Sequence, residues 1–419
     1  MTYSFSDLGV PPRLVEHLRS GGITTPFPIQ AAAIPDAIAG RDVCGKAPTG
    51  SGKTLAFGLA IAAKKARSKP GFPTSVVLVP TRELAAQVCT ELAALAREPR
   101  RTIAVYGGTS YGPTRKALSR GVDTVVACPG RLEDLIKQGT LSIAEVSTVV
   151  IDEADRMSDM GFLPSVRRLL NMTSKERQVM LFSATFGPEI DSIVESYLRR
   201  PVFHDAVPDK SSVGEVSHAF WKTERSERLG LTVGLVRTHG SAVIFCRTRR
   251  GVDRVAKQLS AAGVSAVSIH GDRSQAQRER ALARFSDGTA QALVATDVAA
   301  RGIHVADLPC VVHYDPAASP TDYLHRSGRT GRAGRTGAVV SLVTADQAAS
   351  VRGLQTALGL SDSGEVAGES RSPRVNLEAR KDRRGHDGDG RGRQAKARAR
   401  VRSRKPRRSA SRVSDSTKR

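Results

Sequence analysis

Residues 47–54 combine the side chains and the spacing of a loop that binds phosphate groups: Ala47, Pro48, Thr49, Gly50, Ser51, Gly52, Lys53 and Thr54. Gly50 and Gly52 have no Cβ, so main-chain N–H groups can turn inward around an anion. Lys53 is predicted to reach the terminal phosphates of a nucleoside triphosphate, and Thr54 to offer its hydroxyl to Mg²⁺. The general pattern of such loops begins with glycine, whereas Ala47 takes that place here. We expect the whole loop to contact the nucleotide.

Farther along the chain, an apolar run ends in two carboxylates, Asp152 and Glu153, within the segment Val149–Asp155. Asp152 is nearer to the strand and is predicted to hold Mg²⁺ through water. Glu153 is placed to orient or deprotonate an attacking water molecule. A solvated acidic turn would be the better interpretation of this pair alone. The loop upstream favours the catalytic one, which is hydrolysis of a terminal phosphate.

Composition limits the class of protein. The 419 residues include 40% hydrophobic but only 4% aromatic side chains, so aliphatic residues must fill the cores of two or three domains. The apolar runs fall short of the roughly 18 residues that a membrane span requires, and we expect no signal peptide. The five cysteines are too scattered for a zinc site and fit a reducing compartment. We therefore predict a cytoplasmic protein without a membrane partner.

Positive charge is concentrated at the C-terminal end. The net charge is +23, of which residues 371–419 contribute +14. Such a charge predicts a polyanionic partner, and we expect a nucleic acid. From residue 361 onward the sequence loses its aliphatic clusters, so the segment 361–419 is predicted to be a disordered, Arg-rich tail. Because this tail has no aromatic residue, we expect it to hold phosphates without stacking on bases.

Short apolar strands alternate with helical stretches along most of the chain. Continuous apolar strands indicate parallel sheets that are covered on both faces, which is an α/β architecture. The predicted strands are Asp42–Gly45, Ser75–Val79, Thr102–Tyr106, Thr124–Ala127, Thr148–Ile151, Val179–Phe182, Val216–Trp221, Ala242–Cys246, Ala266–Ile269, Ala292–Ala295, Cys310–Tyr314 and Ala338–Val343. A polar stretch interrupts this alternation and predicts a linker at residues 204–214, between domains at 1–203 and 215–360.

The remaining motifs resemble those of the DEAD-box ATP-dependent RNA helicases of superfamily 2. The resemblance covers residues 5 to about 345 and depends on eight or more motifs in the family's order, of which Asp152–Asp155 is one. It implies two tandem RecA-like P-loop domains, each with a parallel sheet flanked by helices, followed by the disordered basic tail. The use of alanine and arginine suggests a member of bacterial type.

Gly22–Gln30 resembles the family's Q motif, which we assign to residues 3–31, with Phe5 as its upstream aromatic. By this resemblance, Gln30 selects ATP, because its amide can bond both N6 and N7 of adenine. The family usually has an aromatic residue that stacks on the base where this chain has Ile23. That substitution predicts weaker contact with adenine.

Three further segments resemble the RNA-binding motifs of the first domain and include Pro80, Thr81, Arg82, Gly108, Gly130 and Arg131. Each lies where a strand ends, so that N–H groups and arginines can grip the sugar-phosphate backbone without reading bases. Cys128 replaces the family's usual threonine, which removes one hydroxyl contact to phosphate. The resemblance also implies that Asp155, Ser183 and Thr185 couple the ATP site to RNA unwinding.

In the second domain, the resemblance assigns RNA contacts to Thr296 and Arg326. His304 stands where the family has an aspartate that contacts ribose, and we favour a structural role for it. Arg329 and Arg332, in the segment His325–Arg332, are predicted to act with Lys53 and Glu153 in catalysis, as guanidinium groups inserted onto the γ-phosphate from the opposite domain.

The sequence therefore predicts an RNA-stimulated ATP hydrolase that uses ATP and Mg²⁺ and unwinds or remodels structured RNA locally, by closure of two domains. Ribosomal and RNA-decay assemblies are partners consistent with this activity. Two alternatives stay open: a double-stranded DNA translocase of the same superfamily, and an RNA chaperone that anneals strands mainly through the basic tail.

Overall fold

The computed structural model describes residues 3–48, 50–64, 67–206, 216–300, 308–331 and 336–360. The predictions for Thr49, His304, Arg332, most of the linker and the tail at 361–419 lie outside these residues. Residues 3–206 are called the first lobe and residues 216–360 the second lobe. No helix among the described residues is both long enough and apolar enough to span a lipid bilayer.

The first lobe contains a sheet of seven strands with helices on both faces. Its strands are β1 (Val43–Lys46), β2 (Ser75–Leu78), β3 (Thr102–Val105), β4 (Thr124–Ala127), β5 (Thr148–Ile151), β6 (Gln178–Ser183) and β7 (Val202–Asp205). Its helices are α1 (Pro12–Ser20), α2 (Pro28–Ile38), α3 (Lys53–Ala63), α4 (Arg82–Leu95), α5 (Tyr111–Leu118), α6 (Pro129–Lys137), α7 (Ala154–Asp159), α8 (Leu163–Met172) and α9 (Pro188–Tyr197), with a 3₁₀ turn at Pro99–Arg101.

The second lobe repeats this construction with six strands. They are β8 (Val216–Lys222), β9 (Ala242–Phe245), β10 (Ala266–Ile269), β11 (Ala292–Ala295), β12 (Cys310–His313) and β13 (Gly337–Val343). The helices are α10 (Arg228–His239), α11 (Arg249–Ala261), α12 (Gln275–Ser286), α13 (Asp297–Ala300), α14 (Pro320–Ser327) and α15 (Ala348–Leu358), with a 3₁₀ turn at Ala345–Gln347.

Every pairing between strands is parallel, as the continuous apolar runs predict. Strands β2, β4, β5 and β6 are buried at each residue, and separate hydrophobic clusters cover the two faces of each sheet. All twelve predicted strands are present to within one residue at either end. The predicted α/β architecture of two parallel-sheet domains is therefore confirmed.

One strand was not predicted. Strand β7 lies at the edge of the first sheet and pairs only with β1, and its residues alternate between half-buried and exposed. Its last two residues, His204 and Asp205, fall within the range predicted as linker but belong to this strand. These two polar residues belong to the edge of the sheet, and the rest of the predicted linker from residue 207 onward lies outside the described residues.

The two sheets share one strand order. The first runs β3-β4-β2-β5-β6-β1-β7 and the second runs β10-β11-β9-β12-β13-β8. Without β7, each strand of the first lobe has a counterpart at the same place in the second. Because all strands are parallel, every loop that follows a strand lies at the carboxyl edge of its sheet, which is where α/β proteins bind ligands.

Candidate functional site

The predicted phosphate-binding loop follows β1 and opens into a cleft of about 630 Å³. Gly50 and Gly52 have left-handed backbone conformations, with φ of 86° and 84°, which residues with a Cβ rarely adopt. Lys53 is the first residue of α3, and its buried ammonium donates to the carbonyl oxygens of Ala47 (2.7 Å) and Pro48 (3.2 Å). The loop therefore holds Lys53 against its own carbonyl groups, at the helix end that favours anions.

Gln30 lines the same cleft and lies in the first turn of α2. Its Oε1 accepts from the backbone N–H of Phe27 at 2.9 Å, and its Nε2 donates to the carbonyl of Gly52 at 3.0 Å. A Cβ on Gly52 would lie 2.2 Å from Nε2, so only glycine permits this approach. The structure thus joins the predicted base-recognition residue directly to the predicted phosphate loop.

Asp152 and Glu153 follow β5 and face the same cleft as Lys53 and Thr54. Glu153 is one of two described residues other than glycine with positive φ, at 54°. Its Oε2 accepts from Arg156 at 2.8 Å, and both side chains of this ion pair are buried. Arg156 therefore holds the predicted catalytic carboxylate in a conformation that the backbone alone disfavours.

Burial raises the pKa of Asp152, and the neighbouring Glu153 carboxylate raises it further, while the Lys53 ammonium opposes both effects. Within the described part of the chain, no three His, Cys, Asp or Glu side chains form a group that could hold a metal ion. The oxygens of Asp152 and Thr54 suit Mg²⁺, which usually takes one or two protein oxygens together with water and substrate phosphates. These residues therefore fit a magnesium ion that arrives with a nucleotide.

Asp155, Ser183 and Thr185, which are predicted to couple the ATP site to RNA unwinding, form a hydrogen-bonded network. Asp155 Oδ2 accepts from the backbone N–H of Thr185 at 3.1 Å and from its hydroxyl at 3.2 Å. Ser183 Oγ accepts from the N–H of Asp155 at 3.2 Å and donates to the carbonyl of Thr185 at 2.5 Å. The end of β6 is thereby tied to the start of α7.

The residues predicted to contact RNA in the first lobe cluster around the loops after β2, β3 and β4. The Arg82 guanidinium lies over Gly107 and Gly108, where a Cβ on Gly108 would come within 2.5 Å of Arg82 Nη1. Arg131 lies 3.7 Å from the centre of the Tyr111 ring and also donates to the carbonyl of Thr109. These two arginines are held in place by the loop that joins β3 to α5.

The other members of this cluster have simpler surroundings. Pro80 and Thr81 are buried, and the Thr81 hydroxyl caps α4 by accepting from the N–H of Leu84 at 3.3 Å. Gly130 is exposed, and a Cβ there would meet no atom within 4 Å. Cys128 is the cap residue of α6 and makes no side-chain capping bond. No hydroxyl group therefore caps this helix at its first turn.

Arg326 has a different environment from the one expected of an RNA contact. Its side chain is only 3% exposed and forms a bidentate pair with Asp297, at 2.5 and 2.7 Å. It also donates to the carbonyl of Asp315 at 2.7 Å and lies 5.0 Å from the centre of the Phe245 ring. In this structure Arg326 joins α13, α14 and the loop after β12, and its guanidinium is not presented to solvent.

Thr296 and Arg329, the other predicted residues that the structure describes in the second lobe, are also buried. Thr296 follows β11, and its carbonyl accepts from the N–H of Ala300 at 2.8 Å. Arg329 lies in the turn after α14, where its carbonyl accepts from the N–H of Leu308 at 3.2 Å. Arg332 lies outside the described residues. The catalytic role predicted for the two arginines therefore stays a prediction.

Arg228 holds the position in the second lobe that Lys53 holds in the first. Each is the first residue of the helix that follows corresponding strands, β8 and β1. Lys53 faces Asp152 after β5, and Arg228 pairs at 3.3 Å with Asp315 after β12. Arg228 also donates a hydrogen bond to the carbonyl oxygen of Leu342 at 3.1 Å. An internal arginine thus takes the place of a phosphate-binding lysine.

Several residues of the cleft were missed by the sequence analysis. Gln87 and Glu91 on α4 line it and bond each other at 2.7 Å, and Phe27 lies at its rim. Arg156, which holds Glu153, was also missed. The helical spacing of Leu84, Gln87 and Glu91 was a usable signal, because it places all three on the face of α4 that begins beside the cleft.

Sequence profiles of two families match the chain. The profile of the DEAD/DEAH box helicases matches residues 27–193, and that of the helicase conserved C-terminal domain matches residues 222–334. Among curated relatives, DEAD-box ATP-dependent RNA helicase 20 of Arabidopsis thaliana is 35% identical over 89% of this chain and 75% of its own length. Helicase 30 of the same plant is 36% identical over 92% of this chain and 66% of its own length.

Solved structures agree with these matches. A DEAD box protein from the hyperthermophile Methanococcus jannaschii is 32% identical, with a TM-score of 0.51, over 87% of this chain and 99% of its own. Dbp5 of S. cerevisiae bound to RNA and ADP BeF3 is 25% identical, with a TM-score of 0.74, over 87% and 94%. The chain spans about half to two thirds of the length of the first curated relatives that it matches. By its sequence, its fold and the geometry of its cleft, this chain belongs to the DEAD-box family of helicases.

Proposed function

We propose that this chain is an ATP-dependent RNA helicase. It hydrolyses ATP when RNA is bound and couples closure of the two lobes to local unwinding or remodelling of RNA duplexes. The family membership supports this proposal, as do the relatives whose names give that activity and the solved relative that holds RNA and ADP BeF3.

The observation that carries the proposal is the order of strands in the first sheet. Strands β5, β6 and β1 are neighbours and end in the acidic pair, the Ser183–Thr185 network and the phosphate loop. Strands β3, β4 and β2 are neighbours and end in the loops that carry Arg82 and Arg131. One edge thus holds a region suited to nucleotide beside a region suited to a phosphate backbone.

Each residue of the cleft has a proposed task. Lys53 and the N–H groups of the loop neutralise the phosphates, while Thr54 and Asp152 hold Mg²⁺, which supplies charge stabilisation at the phosphoryl group. Glu153, held by Arg156, orients or deprotonates the attacking water. Arg329 and Arg332 complete the site when the lobes close, as guanidinium groups directed at the γ-phosphate.

The decisive experiment compares ATP hydrolysis by the full chain with and without RNA, and then with single-stranded or duplex DNA. We expect RNA to stimulate ATP turnover and DNA to leave it unchanged. Stimulation by duplex DNA and not by RNA would instead indicate a DNA translocase. Glu153→Gln should still bind ATP but lose hydrolysis by about a hundredfold or more, as the loss of a general base costs 10²–10⁴. Glu195→Gln, which changes an exposed carboxylate on α9, is the matched control. Full turnover in Glu153→Gln would contradict the assignment.

The basic segment at 361–419 is proposed to anchor RNA without sequence preference, because its charge is high and it lacks aromatic residues. Its deletion should raise the RNA concentration needed for half-maximal ATPase and flatten the salt dependence, while leaving turnover at saturating RNA intact. The same variant tests the alternative function. A protein that anneals RNA mainly through this segment would keep that activity in Glu153→Gln and lose it on deletion.

Three further proposals concern the biological setting. A cytoplasmic location is the first, and the scattered, unpaired cysteines among the described residues support it. Ribosome-assembly or RNA-decay complexes are the proposed partners, as settings in which structured RNA needs local remodelling. A bacterial source is proposed from composition alone, and the curated relatives named above come from a plant. Crosslinking the protein to RNA in cells and sequencing the bound fragments would identify the client RNA.

A further inference from the structure

The cleft of the first lobe is lined by two chemically different groups of residues. Gly50, Gly52 and Lys53 form one group with the acidic pair, whereas Ile23, Phe27 and Gln30 form the other, which meets the first at Gly52. Because the loop fixes the phosphates of a bound nucleotide and Gln30 is the predicted base-recognition residue, the base must lie beside the second group. Any side chain exposed there is available to contact the base.

Phe27 is the large aromatic residue of this second group, and it is exposed. The residue is 54% exposed, which is unusual for phenylalanine. The ring lies against the phosphate loop, since a Cβ on Gly52 would come within 2.9 Å of Phe27 Cδ2. Its backbone N–H is bonded to Gln30 Oε1 at 2.9 Å, and it caps the N-terminus of α2. These contacts hold Phe27 in a defined position between Gln30 and the loop.

The Gln30 amide is only partly used by the protein. Its Oε1 accepts one bond and its Nε2 donates one, so one lone pair and one N–H remain for the edge of a base. Hydrogen bonds to an edge leave the faces of the base without a partner. Ile23, which is 43% exposed and lines the same cleft, can provide aliphatic contact but no ring.

We propose that Phe27 supplies the aromatic contact to the nucleobase in this chain, in a position different from that of Ile23. This inference depends on the proposed use of ATP and deepens it, because it divides recognition of the base between the Gln30 amide and the Phe27 ring. Contacts between a base and an aromatic ring tolerate different bases, so Phe27 contributes affinity and Gln30 contributes selectivity.

The test is Phe27→Leu in the full chain, with binding of ADP and of inorganic tripolyphosphate measured by calorimetry. Leucine keeps an apolar side chain beside Gly52 but removes the ring. We expect the affinity for ADP to fall about tenfold to a hundredfold, the usual range for loss of an aromatic partner, while tripolyphosphate binds unchanged. Phe27→Tyr should retain the affinity for ADP. Phe203→Leu, which changes an exposed phenylalanine on β7, is the matched control.

Two outcomes would overturn the inference. If ADP binds Phe27→Leu as tightly as the parent protein, the ring does not contact the base. If ADP and tripolyphosphate weaken equally, Phe27 supports the phosphate loop instead. A failure of the proposed function looks different, because the parent protein would then bind neither ligand, or Lys53→Ala would bind both as well as the parent does.

Discussion

Glu83 and Arg278 form a buried ion pair between the two lobes, with 2.9 Å separating Oε1 from Nη2. Glu83 lies in the first turn of α4, next to Arg82, and Arg278 lies on α12 of the second lobe. Burial raises the pKa of Glu83, while Arg278 acts in the opposite direction. The loops proposed to hold RNA therefore lie beside a contact between the two lobes.

Removing one partner of this pair should allow the two lobes to separate. Leaving a single charge buried costs about 3–5 kcal/mol. In Arg278→Met, separation of the lobes would therefore lower the free energy by exposing the unpaired Glu83 carboxylate to water. We expect a longer mean distance between fluorescent labels placed on the two lobes. The exchange of charges in Glu83→Arg with Arg278→Glu should restore the shorter distance. Arg280→Met, on an exposed face of α12, is the control. Equal distances in all four proteins would show that the pair does not hold the lobes.

The network around Asp155 should separate unwinding from hydrolysis. Thr185→Val removes one of the two hydrogen bonds to Asp155 Oδ2 and keeps the other, which comes from the backbone. A hydrogen bond to a charged acceptor contributes about 1.5–3 kcal/mol, so we expect the unwinding rate per ATP hydrolysed to fall roughly tenfold. Both rates are measured on one RNA duplex.

The control for this prediction is Thr90→Val, which removes a hydroxyl from the surface of α4. If hydrolysis and unwinding fall by the same factor in Thr185→Val, the network belongs to the catalytic site. It would then have no separate coupling role.

Arg326→Gln should unfold the second lobe more readily. The substitution leaves Asp297 without its bidentate partner, and breaking a buried pair of this kind costs about 3–5 kcal/mol. Differential scanning calorimetry should show a lower unfolding temperature for that lobe, with a similar loss in Asp297→Asn. An unchanged unfolding temperature together with weaker RNA binding would instead support the role inferred from the sequence.

Mild acid should destabilise the second lobe through His313. This ring is fully buried, bonds Ser341 at 3.1 Å, and packs against Tyr323 at 5.0 Å. Burial lowers its pKa well below 6.5, and the nearby charges of Arg326 and His218 act in the same direction. The unfolded chain therefore binds a proton that the folded chain excludes, so the free energy of unfolding decreases as the pH falls below about 6.5.

The measurement is urea unfolding at pH 7.5 and at pH 5.5. We expect the parent protein to lose stability between these values, and His313→Asn to lose less, because asparagine keeps a polar partner for Ser341 without a titrating ring. An identical loss in the two proteins would show that other groups bind the protons. His218 is the first such group to examine, since burial also lowers its pKa.

The motifs and the strands were predictable because both are local. Val149–Ile151 reads as a buried strand from its own side chains, and Asp152 follows it in the chain. Strand β7 escaped because its exposure alternates and it pairs on one side only, so its apolar pattern is weak. A role for Phe27 was missed because nothing in the adjacent sequence indicates that its ring is exposed and lies beside Gly52.

The sequence by itself determined which chemical groups follow each strand, because a phosphate loop, an acidic pair and an arginine at a strand end are written in adjacent residues. Only the tertiary structure decided which strands are neighbours. That order places β5, β6 and β1 side by side. It also brings Arg326 to within ion-pair distance of Asp297, and Arg228 to within ion-pair distance of Asp315. The physical reason is that such pairings depend on where separate strands lie in a sheet. The apolar pattern of one strand predicts its burial but does not predict which strand pairs with it.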